Sequence, residues 1–453
     1  MEYGAIVLIP PILTVVLALV TKRPWEPLIA GATSAYLISD GIHFFWPWMD
    51  GIYATFDEDG VWLMLCIGFI GVFGIILEDS KGTYGIAGWL RKFCKTERKS
   101  LFFGWIIGIL MFIDDYANAV TVTSTLKPVI DPMKTPRELL AYVTNSTAAP
   151  VCIIVPLSSW YVFFGGLIDQ EDCLKDVGSG FEIYRGAIPY MFYGWVALLI
   201  VLLVIIGIIP KIGRMKKAYK RAKETGWVFS QESQRYNAHS VDELTQVQEG
   251  NPWNFIVPMV VVIAVTLKTG DLLIGLIAAI AAAGVLFICN RTMTFYEWVE
   301  CLYKGWADMA QMFFVMMTAI FVKVAFENIG LAEYVVHKVS PLLNADTFPV
   351  IVFIVVGLLA FCTGNNWGVP AITIPMVAPL AVATGANVYI SMGALLSGAC
   401  FGSHACFFSD TTIITAKCSG ISNMEHALSQ LPYACMAAGT AIILYLVFGF
   451  AIH

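Results

Sequence analysis

Charged residues are scarce in this chain: they make up 13% of its 453 residues, whereas about a quarter of a typical soluble protein is charged. Hydrophobic residues make up 58%, and the few charges cluster between apolar runs long enough to cross a hydrocarbon core of about 30 Å. This shortage excludes a soluble fold. It predicts an all-α polytopic membrane protein whose main partner is the lipid bilayer.

An excess of positive charge is also lacking, since the formal net charge is −6. The basic residues lie in loops rather than along one helix face, so no nucleic acid partner is expected. The eleven cysteines are scattered singly, which excludes a disulfide scaffold and a cysteine-ligated metal site. Because no nucleophile-plus-base pattern stands out, the chain is not expected to be an enzyme or to need a cofactor.

Long apolar runs predict ten membrane spans. They cover residues 5–21, 26–48, 61–78, 139–167, 187–209, 253–268, 271–289, 306–327, 388–416 and 432–451. The first run has Glu2 before it and Lys22 and Arg23 after it, the reverse of a cleaved secretion signal, so we expect a retained helix. Two further stretches, 101–126 and 349–384, are interrupted midway by polar residues, which predicts re-entrant hairpins or pairs of half-helices.

Basic loops set the expected orientation, because such loops remain on the cytoplasmic side. The loop after Pro210 and the stretch before Ser100 are both rich in lysine and arginine, whereas the segment 169–182 is acidic. A hairpin at 101–126 keeps all basic loops on one side. We therefore expect a multi-pass protein of the plasma (inner) membrane, with the hydrophilic linker 211–250 in the cytoplasm.

The two halves of the chain are expected to be inverted repeats. Each half, 1–210 and 251–453, crosses the membrane an odd number of times on this count, so the second runs in the opposite sense. G-I-L-M-F-I-D-D-Y-A-N at 108–118 aligns with G-L-L-A-F-C-T-G-N-N-W at 357–367, and 145–148 aligns with 402–405. Duplicated, interrupted helices indicate a transporter with its site near the bilayer midplane.

Asp114 and Asp115 lie in the middle of an apolar stretch, where a charged side chain costs about 2.5–3.5 kcal/mol. Two adjacent carboxylates do not both stay ionised cheaply in a low dielectric unless a cation binds between them, which predicts competition between a proton and a sodium ion. Asn118, about one helical turn away, adds an oxygen suited to a hard cation. The alternative is a carboxylate pair in water at a hairpin tip near the surface.

A second polar element, 144–150, is followed by Pro156-Leu157-Ser158-Ser159-Trp160. Pro150 and Pro156 remove backbone donors, so this helix is expected either to unwind and offer carbonyls to a cation, or merely to kink with its hydroxyls satisfied. Its matching element in the second half holds His404 and Asp410. An unpaired intramembrane carboxylate favours a site at Asp410, whereas His404 is either a ligand or a satisfied core residue.

Three motifs together resemble the NhaC family of sodium/proton antiporters, within the wider ion-transporter superfamily. They are F-I-D-D-Y-A-N, S-T-A-A-P-V-C-I-I-V-P-L-S-S-W and S-D-T-T, and the resemblance covers nearly the whole chain. It implies an elevator, in which a dimerising scaffold holds a transport domain of two hairpins and two broken helices. It therefore implies a homodimer.

The resemblance also implies an ion site, with Na⁺ at Asp114, Asp115 and Asp410 and H⁺ as the competing ion. The other expected ion-site residues are Asn118, Ser146, Thr147, Ser158, Ser159, Thr411 and Thr412. The residues expected to bind any organic substrate are Asn145, Thr363, Asn365, Asn366, Ser403, His404 and Ser409.

Two departures from the family pattern leave the function open between two classes. The usual G-S-S-W-G appears as 364–368 with two asparagines, and the usual G-D-H-C-S-P-I-S-D appears as 402–410 with Ser403 in place of a carboxylate and Phe407 in place of proline. Sodium/proton antiport is the leading expectation. Because relatives also carry amino acids or hydroxy acids, the alternative is sodium-coupled transport of a small organic solute.

Overall fold

The computed structural model describes residues 3–21, 25–82, 94–236, 250–269, 271–331, 343–364, 366–407 and 409–452, together with Gly85 and Tyr334. Across these residues the regular structure is entirely helical. The expected all-α class is therefore confirmed.

Helices of the first half and the linker are numbered α1 to α12. Their bounds are α1 Ile9–Thr21, α2 Glu26–Asp40, α3 Phe45–Ala54, α4 Glu58–Asp79, α5 Glu97–Leu110, α6 Asp115–Ile130, α7 Arg137–Thr147, α8 Ala149–Ile154, α9 Ser159–Asp169, α10 Gly180–Ala187, α11 Phe192–Ile206 and α12 Gly213–Thr225. The predicted linker 211–250 thus begins with a helix, and its residues 237–249 lie outside the described part.

Helices of the second half are numbered α13 to α21. Their bounds are α13 Trp253–Thr269, α14 Leu272–Cys289, α15 Phe295–Asp308, α16 Ala310–Asn328, α17 Phe348–Thr363, α18 Gly368–Thr384, α19 Val388–Ala405, α20 Asp410–Ser419 and α21 Asn423–Ala451. Both halves contain, in the same order, a pair of helices with a short polar break between them and then a broken helix.

Four helical segments of the described chain are long and apolar enough to cross a membrane: Gly60–Leu77, Arg137–Asp169, Leu272–Cys289 and Asn423–Ala451. A fifth is the bent pair Gly180–Tyr190 and Phe192–Ile206, whose axes differ by 43°. Some predicted spans are instead shorter apolar helices, namely Gly4–Thr14 and Trp253–Thr266.

Two predicted spans are wrong as continuous helices. The helix expected over 26–48 ends at Asp40, because Gly41 adopts a φ of +57°, which a helix cannot contain. The helix expected over 306–327 is broken at Met309, whose φ of −87° and ψ of 1° place it outside the α region. In contrast, the predicted interruptions of 101–126, 349–384, 139–167 and 388–416 are all present.

Helices from both halves mix in two packing groups. In one, α4 packs on α14 and α15, α2 packs on α1 and α16, and α13 packs on α14. In the other, α6 packs on α20, α7 packs on α20 and α21, α17 packs on α19, and α11 packs on α21. The second group contains both interrupted helix pairs and both broken helices, and it brings the predicted polar elements together.

Candidate functional site

The short break between α5 and α6 places Asp114 at a helix N-terminus. Asp114 is the N-cap of α6: its Oδ1 accepts hydrogen bonds from the backbone N–H of Tyr116 at 2.9 Å and of Ala117 at 3.1 Å. Its Oδ2 accepts a hydrogen bond from the Ser159 hydroxyl at 3.1 Å. The residue is 2% exposed, so the expectation of a carboxylate pair in water at a hairpin tip is wrong.

Asp115 is the first residue of α6 and is fully buried. Its Oδ2 accepts a hydrogen bond from the Thr411 hydroxyl at 2.9 Å, across the two halves of the chain. Its Oδ1 is buried with no hydrogen-bond partner among the described residues. A buried carboxylate oxygen without a donor is unfavourable, and a bound cation or a proton would satisfy it.

Asn118 fixes the break against the first broken helix. Its amide nitrogen lies 2.6 Å from the Gly108 carbonyl, 3.1 Å from the Met111 carbonyl and 2.8 Å from the Thr147 carbonyl. Three acceptors determine which end of the amide is the NH₂ group, so Oδ1 must point away from them, and it has no partner in the described structure. Asp115 and Asn118 are three residues apart and therefore lie on one face of α6.

Three helix N-termini meet at the aspartate pair. Asp115 begins α6, Ser159 begins α9 behind its N-cap Ser158, and Thr411 is the second residue of α20 behind its N-cap Ser409. Each terminus carries roughly half a positive elementary charge, which stabilises carboxylates. Among the described residues, no lysine or arginine forms an ion pair with either aspartate. Helix dipoles, backbone N–H groups and hydroxyl groups thus hold the pair in place.

A cavity of about 60 Å³ opens beside Asp114, which is enough for a few water molecules. Its wall is formed by α4, by the first turns of α6 and by the end of α15. Asp308, the last residue of α15, lies at this cavity and is exposed at the protein surface. This acid was not among the predicted site residues, because its sequence position suggests only the start of an apolar run.

The first broken helix unwinds in two places. Ala148 leaves the α region with a ψ of −94°, and Val155 is extended, as expected for a residue before proline. Ser158 donates to the Cys152 carbonyl at 2.5 Å and accepts from the Tyr161 N–H at 3.1 Å. The predicted ligand Ser158 therefore maintains the break, whereas its neighbour Ser159 contacts the aspartate pair.

The second broken helix has the same local bond without a proline. Ser409 donates to the Ser403 carbonyl at 2.6 Å, again six residues back, and its hydroxyl oxygen lies 2.9 Å from the Thr412 hydroxyl. Cys406 is extended, with ψ 145°. The replacement of the family proline by Phe407 therefore does not remove the break, and Ser409 and Thr412 stabilise it rather than contacting the aspartates.

A second polar group surrounds His404. Its Nε2 lies 3.1 Å from the Ser146 hydroxyl and its Nδ1 lies 2.7 Å from the Tyr193 hydroxyl. Asn145 contacts Gln430 at 3.1 Å and His426 at 3.3 Å. Of these side chains, Asn145, Ser146 and His404 were predicted site residues. Tyr193, His426 and Gln430 were not. Because both ring nitrogens of His404 are hydrogen-bonded and the ring is buried, the structure favours the satisfied core residue.

The structure describes some of the remaining predicted site residues and leaves others outside its described part. The Thr147 hydroxyl bonds within its own helix, to Val143 and Thr144 carbonyls. Asn366 is buried, and neither its amide oxygen nor its amide nitrogen has a partner within the described chain; the same is true of the Ser403 hydroxyl. Asn365 and the side chains of Thr363 and Asp410 lie outside the described residues.

Sequence reasoning missed Tyr193, His426 and Gln430. Tyr193 stands near the start of an apolar run, where an aromatic residue is typical of the membrane interface. His426 and Gln430 are four residues apart, hence on one helix face, in a segment that the sequence placed before the last span. Their spacing was the signal that could have indicated a buried polar face.

A model described as the Na⁺/H⁺ antiporter family matches residues 138–450. The chain belongs to the Na⁺/H⁺ antiporter family. The resemblance to the NhaC-type antiporters is thereby confirmed.

A relative of similar length is an uncharacterized protein of Haemophilus influenzae. The two sequences are 24% identical over 492 aligned residues, and the match covers 98% of this chain and 90% of that protein. Among solved structures, this antiporter-family chain is similar to the YdaH transporter of Alcanivorax borkumensis, with a TM-score of 0.60, 12% identity and coverage of 98% and 99% of the two chains. It is also similar to Neisseria gonorrhoeae MtrF, described as one of a class of antimetabolite efflux pumps, with a TM-score of 0.62, 15% identity and coverage of 92% and 86%. At these identities the two structures establish the fold alone, which is that of a helical transporter.

Proposed function

We propose that this protein is a sodium/proton antiporter in which Asp114 and Asp115 bind Na⁺ and H⁺ alternately. The observation that carries the proposal is the buried Oδ1 of Asp115, which has no partner in the described structure and lies on the same helix face as the unpartnered Oδ1 of Asn118. Carboxylate and amide oxygens are the ligands that a hard cation prefers. A proton satisfies the same carboxylate when sodium leaves.

The geometry also supports obligatory exchange. The Ser159 and Thr411 hydroxyls each donate to one aspartate, so the two carboxylates are tied to both broken helices. With neither ion bound, the site would hold adjacent negative charges in a low dielectric, which is costly. The empty form would therefore cross the membrane rarely, and exchange of one ion for the other would be favoured.

The proposed movement is that of an elevator with two inverted repeats. The packing group that contains both interrupted helix pairs and both broken helices would be the transport domain. The group around α2, α4, α14, α15 and α16 would be the scaffold, through which we propose that the protein forms a homodimer. The shared order of helices in the two halves supports the repeats.

The proposed setting is the plasma (inner) membrane, with the linker 211–250 in the cytoplasm. The described part of this linker is strongly basic, and α12 exposes Arg214, Lys216, Lys217 and Lys220, as expected on the cytoplasmic side.

Proteoliposomes test the antiport proposal. Purified protein is reconstituted with a pH-sensitive dye inside, and an inward sodium gradient is imposed. Proton efflux that depends on sodium and needs no organic solute is the expected result. Sodium-dependent uptake of a labelled solute without any proton flux would overturn the antiport proposal.

A second candidate function is sodium-coupled transport of a small organic solute, such as an amino acid or a hydroxy acid. The buried amide of Asn366 and the buried Ser403 hydroxyl favour it, since neither has a hydrogen-bond partner among the described residues and polar groups of a solute could supply one. The description of MtrF as an efflux pump for antimetabolites is compatible with this class. The same proteoliposomes, loaded with labelled candidate solutes, separate the two functions.

A further inference from the structure

A second cavity lies away from the ion site, where α5, α11 and α12 meet. Its volume is about 580 Å³, and its lining includes Arg98, Lys211 and Tyr219, together with Glu97 and the turn at Gly207. These residues belong to the start of α5, the end of α11 and the first part of the linker. The cavity therefore lies at the basic end of the helices, where the proposed orientation places the cytoplasmic membrane surface.

Two cations line this cavity. The Lys211 ammonium donates to the Val204 carbonyl at 2.5 Å, near the end of α11. The Arg98 guanidinium lies against Gly207, so close that a Cβ there would be 2.9 Å from it. Arg98 forms no ion pair with the described residues. Burial lowers the pKa of Lys211, and Arg98 adds to that shift while Glu97 opposes it.

The carboxylate in the cavity does not neutralise both cations. Glu97 accepts a hydrogen bond from the Tyr219 hydroxyl, and burial together with this carboxylate raises the pKa of Tyr219, so the hydroxyl stays protonated. One carboxylate against Arg98 and Lys211 leaves an excess of one positive charge. An anion with several oxygens would pair with both cations at once.

The surroundings of the cavity suit a lipid. Ile208, beside Gly207, is 68% exposed, and Ile206 is 41% exposed, which provides apolar surface for an acyl chain. On the other side, α12 buries Met215, Ala218 and Ala222 and exposes its lysines. A basic amphipathic helix next to a basic pocket between membrane helices is a typical setting for anionic head groups.

We propose that this cavity binds a phosphate group, with Arg98 and Lys211 as its ligands, and that the head group of an anionic phospholipid supplies it. Free phosphate shares the same chemistry and is the other possible source. This site goes beyond the proposed transport function, because it contains none of the residues of the ion site.

The experiment measures thermal unfolding of the full chain in nanodiscs and in detergent. We expect nanodiscs that contain phosphatidylglycerol to raise Tm by about 2–4 °C over nanodiscs of phosphatidylcholine alone. The double variant Arg98→Gln with Lys211→Gln should abolish this Tm increase. Native mass spectrometry should show that the double variant has lost a lipid that co-purifies with the wild-type protein. If millimolar inorganic phosphate raises Tm in detergent while the lipid does not, the phosphate site stands and free phosphate is its ligand.

The matched control is Lys216→Gln with Lys217→Gln, which removes the same charge from the exposed face of α12. It should keep the lipid-dependent increase. Arg98→Lys with Lys211→Arg, which preserves both charges, guards against misfolding and should also retain it. If Arg98→Gln with Lys211→Gln and Lys216→Gln with Lys217→Gln lose the Tm increase equally, the lipid effect is a diffuse one of surface charge and the proposed site is overturned. The absence of any Tm change with both the lipid and phosphate would also overturn it.

Discussion

At the residue scale, two adjacent carboxylates have different surroundings. Asp114 has both oxygens hydrogen-bonded, to two backbone N–H groups and to Ser159, whereas Asp115 has one bonded oxygen and one without a partner in the described structure. Asp114 therefore caps the start of α6, and in the proposed mechanism Asp115 is the better ligand for a transported ion. This difference makes the two residues separable by mutation.

Asp115→Asn should reduce sodium-dependent proton flux at least about tenfold, because an amide cannot exchange a proton for a cation. Expression and monodispersity should be unchanged, since Asn keeps the acceptor for Thr411. Flux in proteoliposomes is the measurement. Asp172→Asn is the matched control, since that carboxylate is exposed and forms an ion pair with Lys175. Wild-type flux in Asp115→Asn would remove the aspartate pair from the mechanism.

The pH dependence follows from competition at one carboxylate. In the proposed mechanism sodium binds the deprotonated form, so protonation at lower pH removes binding sites and the apparent KM for sodium should rise as pH falls. Once the protonated form dominates, the rise should be about tenfold per pH unit for one competing proton. Initial rates at several sodium concentrations and pH values measure it. A KM that stays constant while the maximal rate alone changes would contradict direct competition.

Asp308 is predicted to attract the cation into the cavity beside Asp114. Asp308→Asn should raise the KM for sodium several-fold, most strongly at low ionic strength, with the maximal rate nearly unchanged, because long-range attraction is screened by salt. Glu300→Gln is the control, an acid on the same helix that pairs with Lys304 at 3.3 Å. If the maximal rate falls several-fold while the KM for sodium stays unchanged, Asp308 acts in the transport step itself rather than in attracting the cation.

At the scale of elements, the α5–α6 break is held on the first broken helix by close packing. A Cβ on Gly108 would lie 2.2 Å from the Thr147 hydroxyl and 2.5 Å from its Cβ, while the Asn118 amide bonds the carbonyls of both residues. The proposed ion site therefore depends on a glycine that allows two helices to approach each other.

Gly108→Ala should destabilise the protein by about 1–3 kcal/mol through overpacking, and should lower sodium affinity by displacing Asn118. Thermal unfolding in detergent and sodium-dependent flux measure the two effects. Gly439→Ala serves as the comparison: no atom lies within 4 Å of the added Cβ, so in the middle of α21 it should stabilise by up to about 1 kcal/mol. Equal stability of both variants would argue against close packing at Gly108.

At the scale of the whole molecule, the linker joins the two halves through Arg221. Its guanidinium pairs with Glu138 at 2.9 Å on two oxygens and with Glu425 at 3.2 Å. Glu138 belongs to the first broken helix and Glu425 to the last helix, and Ser233 also donates to Glu425. The first turns of two distant helices are thus fixed to one linker side chain.

Arg221→Gln should cost about 2–4 kcal/mol, since it leaves the Glu138 side chain, 3% exposed, without its partner. Hydrogen exchange should increase in α12 and at the start of α7 and α21. Lys220→Gln, whose side chain is 74% exposed and 3.9 Å from Glu224, should change stability by less than about 0.5 kcal/mol. Unaltered exchange in Arg221→Gln would show that the linker does not connect the halves energetically.

Much of this molecule follows from its sequence by itself. The shortage of charge predicted an all-helical membrane protein, and the polar residues within 101–126 and 349–384 predicted interrupted helices, because buried polar groups are compatible with only a few backbone arrangements. The Asp-Asp-x-x-Asn spacing determined that Asp115 and Asn118 share a helix face.

Only the tertiary structure decided which polar residues meet. Ser159 and Thr411 contact the aspartates, whereas Ser146 and His404 pair with each other and with Tyr193 in a separate network. Local sequence could not separate these groups, because contacts between residues as much as 296 positions apart depend on how helices from both halves pack. For the same reason Asp308 and Tyr193 became visible only in three dimensions.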